Sequence, residues 1–116
     1  MLMLPPAVKI FMCGQPTDMR RSFDRLAEMT RTVLLQDPFS GHLFVFFNRP
    51  CDRVKILFWD TCGFCLYYKR LEKGYFRPPQ TGGDRTEIGV AELTLVLEGI
   101  ELAGAKRQKR FSLLRK

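Results

Sequence analysis

Cys62 and Cys65 stand two residues apart, the spacing at which paired thiolates grip zinc or close a redox-active disulfide. Zinc needs further ligands, and Cys13, Cys51 and the single histidine, His42, are scattered without ligand spacing. A redox pair of this kind opens a helix after a strand, whereas Cys62-Gly63-Phe64-Cys65 falls in a predicted hairpin. It reads as two incidental thiols. Asp18, Asp37, Asp52 and Asp60 invite comparison with two-metal phosphoryl-transfer sites, which gather carboxylates. Each, however, stands at a predicted cap, turn or strand end, where aspartate bonds the local backbone. His42 has no ordered cysteine and orienting third group beside it, so a nucleophilic pair is not expected. Gly82-Gly83 reads as a flexible dipeptide, not a phosphate-cradling loop. The reading is no enzyme, with no catalytic residue, metal or cofactor.

The other chemistry on offer is positive charge. The chain of 116 residues carries 19 Lys+Arg against 12 Asp+Glu, a net +7. Six of those charges come from Lys106, Arg107, Lys109, Arg110, Arg115 and Lys116, in a segment (104–116) with no acid. A basic arm of this kind holds nucleic-acid phosphates; six phosphate contacts would give a slope of log K against log salt of about −5. The plainer alternative is a solvated, flexible terminus.

The length supports one domain, and the 46% hydrophobic content, with ten Phe, supplies an ordinary core. No apolar run reaches the ~20 residues a membrane span needs. The first residues, Met1 to Lys9, lack the basic start and cleavage pattern of a signal peptide, so a cytoplasmic protein is expected. Ala7–Cys13 reads as a first strand, stopped by Gly14. Thr17 and Asp18 then look like a helix start. Met19, Phe23, Leu26, Met29 or Thr30, and Val33 form an apolar stripe, with Arg20, Arg21, Arg25 and Arg31 on the other side. Leu43–Asn48, Arg53–Asp60 and Phe64–Leu71 are strand-like runs joined by short connections, the pattern of an antiparallel meander. Tyr75–Arg77 is a short extended piece, Gln80–Arg85 a polar loop, and Val90, Leu93, Leu97 and Ile100 mark a short second helix.

Pairing Phe47 with Val54 puts Leu43, Val45 and Phe47 on one face with Val54, Ile56 and Phe58. A three-residue loop pairing Asp60 with Phe64 adds Phe64, Leu66 and Tyr68, making this the expected core face under the first helix. A two-residue loop would turn the third strand over. The opposite face then collects Phe44, Phe46, Arg53, Lys55, Trp59, Tyr67 and Lys69. Aromatic and basic side chains together suit nucleic-acid stacking and phosphate contact. The alternative is a second layer covering this face, and partial cover is favoured because so short a chain needs its aromatics for core.

Four stretches carry a resemblance to a known family: Thr17-Asp18-Met19-Arg20-Arg21-Ser22-Phe23-Asp24; Asp37-Pro38-Phe39-Ser40-Gly41-His42-Leu43-Phe44-Val45-Phe46; Asp52-Arg53-Val54-Lys55-Ile56-Leu57-Phe58-Trp59-Asp60; and Cys65-Leu66-Tyr67-Tyr68-Lys69-Arg70-Leu71-Glu72-Lys73-Gly74. With Glu92-Leu93 and Leu97-Glu98-Gly99-Ile100, they resemble the small accessory protein (TnpB, the second open-reading-frame product) of the insertion sequence 66 family of bacterial transposable elements. The chain departs from that pattern at Ser22 and Arg25, where glycines are expected, at Thr61-Cys62, and at Pro78, a tryptophan position. The resemblance implies a protein encoded beside a larger transposase and needed for transposition.

The expected architecture is α+β in one small domain. It runs strand, long helix, three-stranded antiparallel meander with room for an extra short strand, and short helix over residues 1–103, then a basic, flexible tail over 104–116. The expected function is non-catalytic assistance of DNA transposition, through element-end DNA, the transposase, or both. Lys106, Arg107, Lys109 and Arg110 are the first phosphate candidates, Arg53, Lys55 and Lys69 the second patch, and the helix arginines a third. The alternative is a purely protein-binding or oligomerisation module that docks Phe44, Phe46, Trp59 and Tyr67 on the transposase.

Overall fold

A computed structural model describes residues 7–79 and 83–98 and the backbone of 100–101 and 106–107. The chain runs β1 (Ile10–Cys13), α1 (Phe23–Thr32), β2 (Leu43–Phe47), β3 (Arg53–Asp60), β4 (Gly63–Arg70), β5 (Arg85–Ile88), α2 (Val90–Leu97), β6 (Ile100–Glu101) and β7 (Lys106–Arg107). Five strands form one mixed sheet in the order β4-β3-β2-β1-β5, and β6 and β7 pair separately. The architecture is α+β: a small domain with a helix on each face of the sheet.

The apolar residues dictate this layering. All five residues of β2, Leu-Phe-Val-Phe-Phe, are buried, so the strand needs cover on both sides. β1 and β2 are parallel, and α1 forms the crossover between them. Leu26, Ala27 and Met29 of α1 pack with Cys13, Phe44, Phe46 and Leu57 on one face. Leu93, Val96 and Leu97 of α2 pack with Ile10, Met12, Val45, Phe47, Val54 and Ile56 on the other. β5 is antiparallel to β1 and leads the chain to that second face.

The meander forms as read, and Phe47 pairs with Val54. The next hairpin does not: Asp60 pairs with Gly63, leaving Thr61-Cys62 as a two-residue loop. β4 is therefore turned over, and Phe64, Leu66 and Tyr68 lie on the face of Phe44 and Phe46. The first helix also covers that face, not the Leu43/Val45/Phe47 face. α1 is ten residues long and starts at Phe23. Thr17 is no cap: its amide donates to the Phe47 carbonyl at 2.8 Å, tying the loop after β1 to the end of β2. A fifth strand forms at Arg85–Ile88, where a polar loop was expected to end, and Tyr75–Arg77, read as a short extended piece, belongs to no strand. Ile100 belongs to β6 and not to the second helix.

Gly14 is required by a close approach. Its amide donates to Asp84 O at 2.8 Å, and a Cβ there would lie 2.0 Å from the Gly83 carbonyl oxygen. No helix of the described residues is long and apolar enough to cross a membrane.

Candidate nucleic-acid interface

Because β1 and β2 run parallel, the loops leaving their carboxyl ends meet at one end of the sheet. Such ends are where open sheets with parallel strands commonly build ligand sites. Here they enclose a groove of about 740 Å³, walled by Pro16–Arg21 on one side and Asn48–Pro50, Asp52 and Arg53 on the other, with Tyr68 of β4. Four arginines line it, Arg20, Arg21, Arg49 and Arg53, against two carboxylates, Asp18 and Asp52.

Each wall is held by specific bonds. Asn48 Oδ1 accepts from the amides of Asp52 and Arg53 at 3.1 and 3.0 Å, and its Nδ2 donates to Asp52 Oδ1 at 2.6 Å. This bracket leaves Arg49 exposed at the tip of the turn, with no partner among the described residues. The other wall is pinned from below. Lys55, buried on β3, donates to the carbonyls of Met19 and Arg21 at 2.8 and 2.7 Å. These two bonds to backbone carbonyls fix the loop that presents Arg20 and Arg21. Asp18 accepts the Arg20 amide at 2.9 Å and the Arg20 guanidinium at 2.6 Å. Side-chain bonding to Arg20, then the Arg20 amide, lowers the Asp18 carboxyl to about 2.

Tyr68 stands outside the apolar cluster that α1 covers. Its hydroxyl accepts from Arg53 at 3.1 Å, and Lys55 Nζ lies 4.7 Å from the ring centroid. The residue is 48% exposed.

The expected site residues divide. Arg53 lines the groove, joined by Arg20 and Arg21, while Arg25 and Arg31 are exposed on α1 outside it. Lys55 is committed to the loop carbonyls, and Lys69 donates to Leu97 O at 3.0 Å, so both tie elements together. Phe44 and Phe46 are wholly buried and form no docking surface; α1 needs them as its floor. Trp59 joins Phe39 and Phe64 in a triad with centroids 5.0–5.2 Å apart, at the far end of β3 from the groove. Tyr67 is exposed on the opposite face of the sheet. Lys106 and Arg107 have backbone in β7; Lys109 and Arg110 lie outside the described residues. Arg49 and Tyr68 were missed by sequence reasoning. Arg49 looked like a turn residue, and Tyr68 was assigned to the core face by the hairpin register.

No cysteine side chain lines the groove, although Cys51 belongs to the Asn48–Arg53 turn, its amide donating to Asn48 O at 3.0 Å. Cys13 and Cys51 have thiols pushed up chiefly by burial, which holds them protonated. Cys62 is exposed on the hairpin loop and Cys65 half-buried on β4. Among the described residues no group of three His, Cys, Asp or Glu could hold a metal ion.

The model of the family described as IS66 Orf2-like protein (TnpB_IS66) matches residues 8–107, spanning the sheet, both helices and both walls of the groove. The chain belongs to this IS66 Orf2-like family. Two relatives come from Sinorhizobium fredii (strain NBRC 101917 / NGR234). Uncharacterized protein y4jC is 33% identical over 101 residues, 87% of this chain and 86% of the relative. Uncharacterized protein y4hO is 38% identical over 101 residues, 85% of this chain and 88% of the relative. No solved structure matches the chain. Membership in the IS66 Orf2-like family associates the chain with transposition, in an accessory role.

Proposed function

We propose that this chain is a non-catalytic, cytoplasmic accessory protein of insertion-sequence transposition that holds element DNA in the arginine groove, with the basic tail as a second electrostatic contact. The observation that carries this reading is the groove itself. Arg20, Arg21 and Arg49 project from two loops that Lys55, Asn48 and the Thr17–Phe47 bond hold in place, with Arg53 beside them at the start of β3. Guanidinium groups on a rigid frame suit phosphate oxygens, which they meet as planar forks. Family membership supplies the context in which DNA is the relevant polyanion.

The test is fluorescence anisotropy on a labelled element-end duplex and a scrambled duplex, at two salt concentrations. The full chain is compared with Arg20→Gln/Arg21→Gln/Arg49→Gln. The triple variant should bind at least about 10-fold more weakly, because each lost phosphate contact also removes counterion release. Unchanged affinity would remove the groove from the reading.

A second reading rests on Phe39, Trp59 and Phe64. Phe39 is 52% exposed, and this triad lies about 20 Å along β3 from Arg53, far enough to serve another partner. In that reading it docks the separate transposase of the element. Phe39→Ser should then abolish co-purification with the transposase while leaving DNA affinity unchanged.

A further inference from the structure

The groove has an aromatic component that duplex phosphates would not use. Tyr68 is on β4, directly across from Lys55, outside the apolar cluster that α1 covers. The ring is fixed from two sides: Arg53 holds its hydroxyl at 3.1 Å, and the Lys55 ammonium sits 4.7 Å from its centroid. Lys55 is itself locked by two carbonyls, so the ring rests on a rigid support. One face lies toward the ammonium, the residue as a whole is 48% exposed, and it lines the groove. Arginines along both walls and a fixed, half-exposed tyrosine form the pairing found in single-strand binders, where a charged track holds the backbone and an aromatic stacks a base. Bases inside an intact duplex already stack on one another and offer no free face to such a ring. The groove volume, about 740 Å³, falls in the range that takes a molecule of nucleotide size.

Resting on the DNA reading above, we propose that the groove takes single-stranded DNA, stacking one unpaired base on Tyr68 while Arg20, Arg21 and Arg49 hold the flanking phosphates. Arg53 acts on the ring rather than on the backbone of the strand. The protein would therefore engage an element end where its strands are open, not where they are paired.

The experiment uses the full chain, a labelled 15-nucleotide thymidine strand and a labelled 15-base-pair duplex, at matched salt. The unaltered protein should hold the single strand about 10-fold more tightly than the duplex, as one stacked base would give. Tyr68→Ala should lose about that factor on the strand, bringing strand and duplex affinities to within about 2-fold of each other. Tyr68→Phe, which keeps the ring and loses only the hydroxyl bond, should stay close to the unaltered protein. A thermal melt of each variant shows that the fold is retained, and Tyr68→Leu, which keeps bulk but has no aromatic face, carries the comparison should the alanine variant unfold. Equal affinity of the unaltered protein for strand and duplex, or a folded Tyr68→Ala protein that binds the strand normally, would overturn the stacking proposal and leave the arginine groove standing. Failure of the unaltered chain to bind either DNA would overturn the underlying reading as well.

Discussion

Lys55 shows how one residue can look like a binding group and serve a different purpose. On a strand between valine and isoleucine its charge suggested an exposed phosphate contact, yet the side chain is 6% exposed and ends on two carbonyl oxygens. Replacing it with methionine keeps the length and deletes both bonds, leaving the carbonyls of Met19 and Arg21 without their donor. We expect Lys55→Met to lower stability by about 1–3 kcal/mol, read by urea unfolding. DNA affinity should fall too, because Arg20 and Arg21 lose their fixed loop. Asp18 is the complementary case. Its carboxyl sits at about 2 because Arg20 bonds its charged form. A carboxyl lowered on folding stabilises fully above its unfolded value, near 4. That contribution fades as pH falls toward about 2, a window a carboxyl-carbon titration by NMR would reveal. Near neutral pH, Asp18→Asn should remove the carboxylate that competes with phosphate for the Arg20 guanidinium. DNA should then bind more tightly in the same anisotropy titration, without a new phosphate contact and so with the salt slope unchanged.

At the scale of elements, the β3–β4 hairpin decides most of what the sequence concealed. Gly63 suggested a loop with glycine inside it, but the turn is Thr61-Cys62, and Thr61 adopts φ +51°, the left-handed region that suits glycine and strains a β-branched residue. Thr61→Gly should relieve that strain and raise stability by about 0.5–1 kcal/mol, seen as a higher urea midpoint with unchanged slope. Gly14→Ala should do the reverse, costing about 1–3 kcal/mol, because its Cβ would collide with the Gly83 backbone that positions β5. The strands and the β2–β3 register were legible because alternation and a short connection fix them together. The β3–β4 register was not, since local residues favour a glycine loop while packing of Phe64 and Leu66 under α1 wins. That single shift moved Tyr68 from the expected core to the groove. α2 was legible from Leu93 and Leu97, but which face each helix covers depends on the crossover hand and on β5, neither visible in local pattern. Of the candidate site, the arginines of Thr17–Ser22 and Arg53 were visible as charges. Their convergence with Arg49 arises only when parallel β1 and β2 bring two distant loops together.

For the whole molecule, the question is how a groove of modest net charge and a strongly basic tail share one ligand. The tail holds six of the seven excess charges, so it should dominate attraction at low salt whatever the DNA sequence. The groove sets four arginines against two carboxylates and therefore contributes less to attraction. Its rigid walls are better suited to discrimination, because fixed donors accept only some phosphate and base geometries. The two contributions separate in one experiment. Lys106→Gln/Lys109→Gln with Arg107→Gln/Arg110→Gln should flatten the salt slope by about 3–4, the share of four phosphate contacts. Overall affinity should drop for element-end and scrambled DNA by the same factor, so their ratio is kept. If the ratio instead collapsed to one, recognition would reside in the tail, and the groove would be left as a general anchor. Measured beside the triple groove variant, the pair of slopes and ratios assigns attraction and selection to different parts of the same chain.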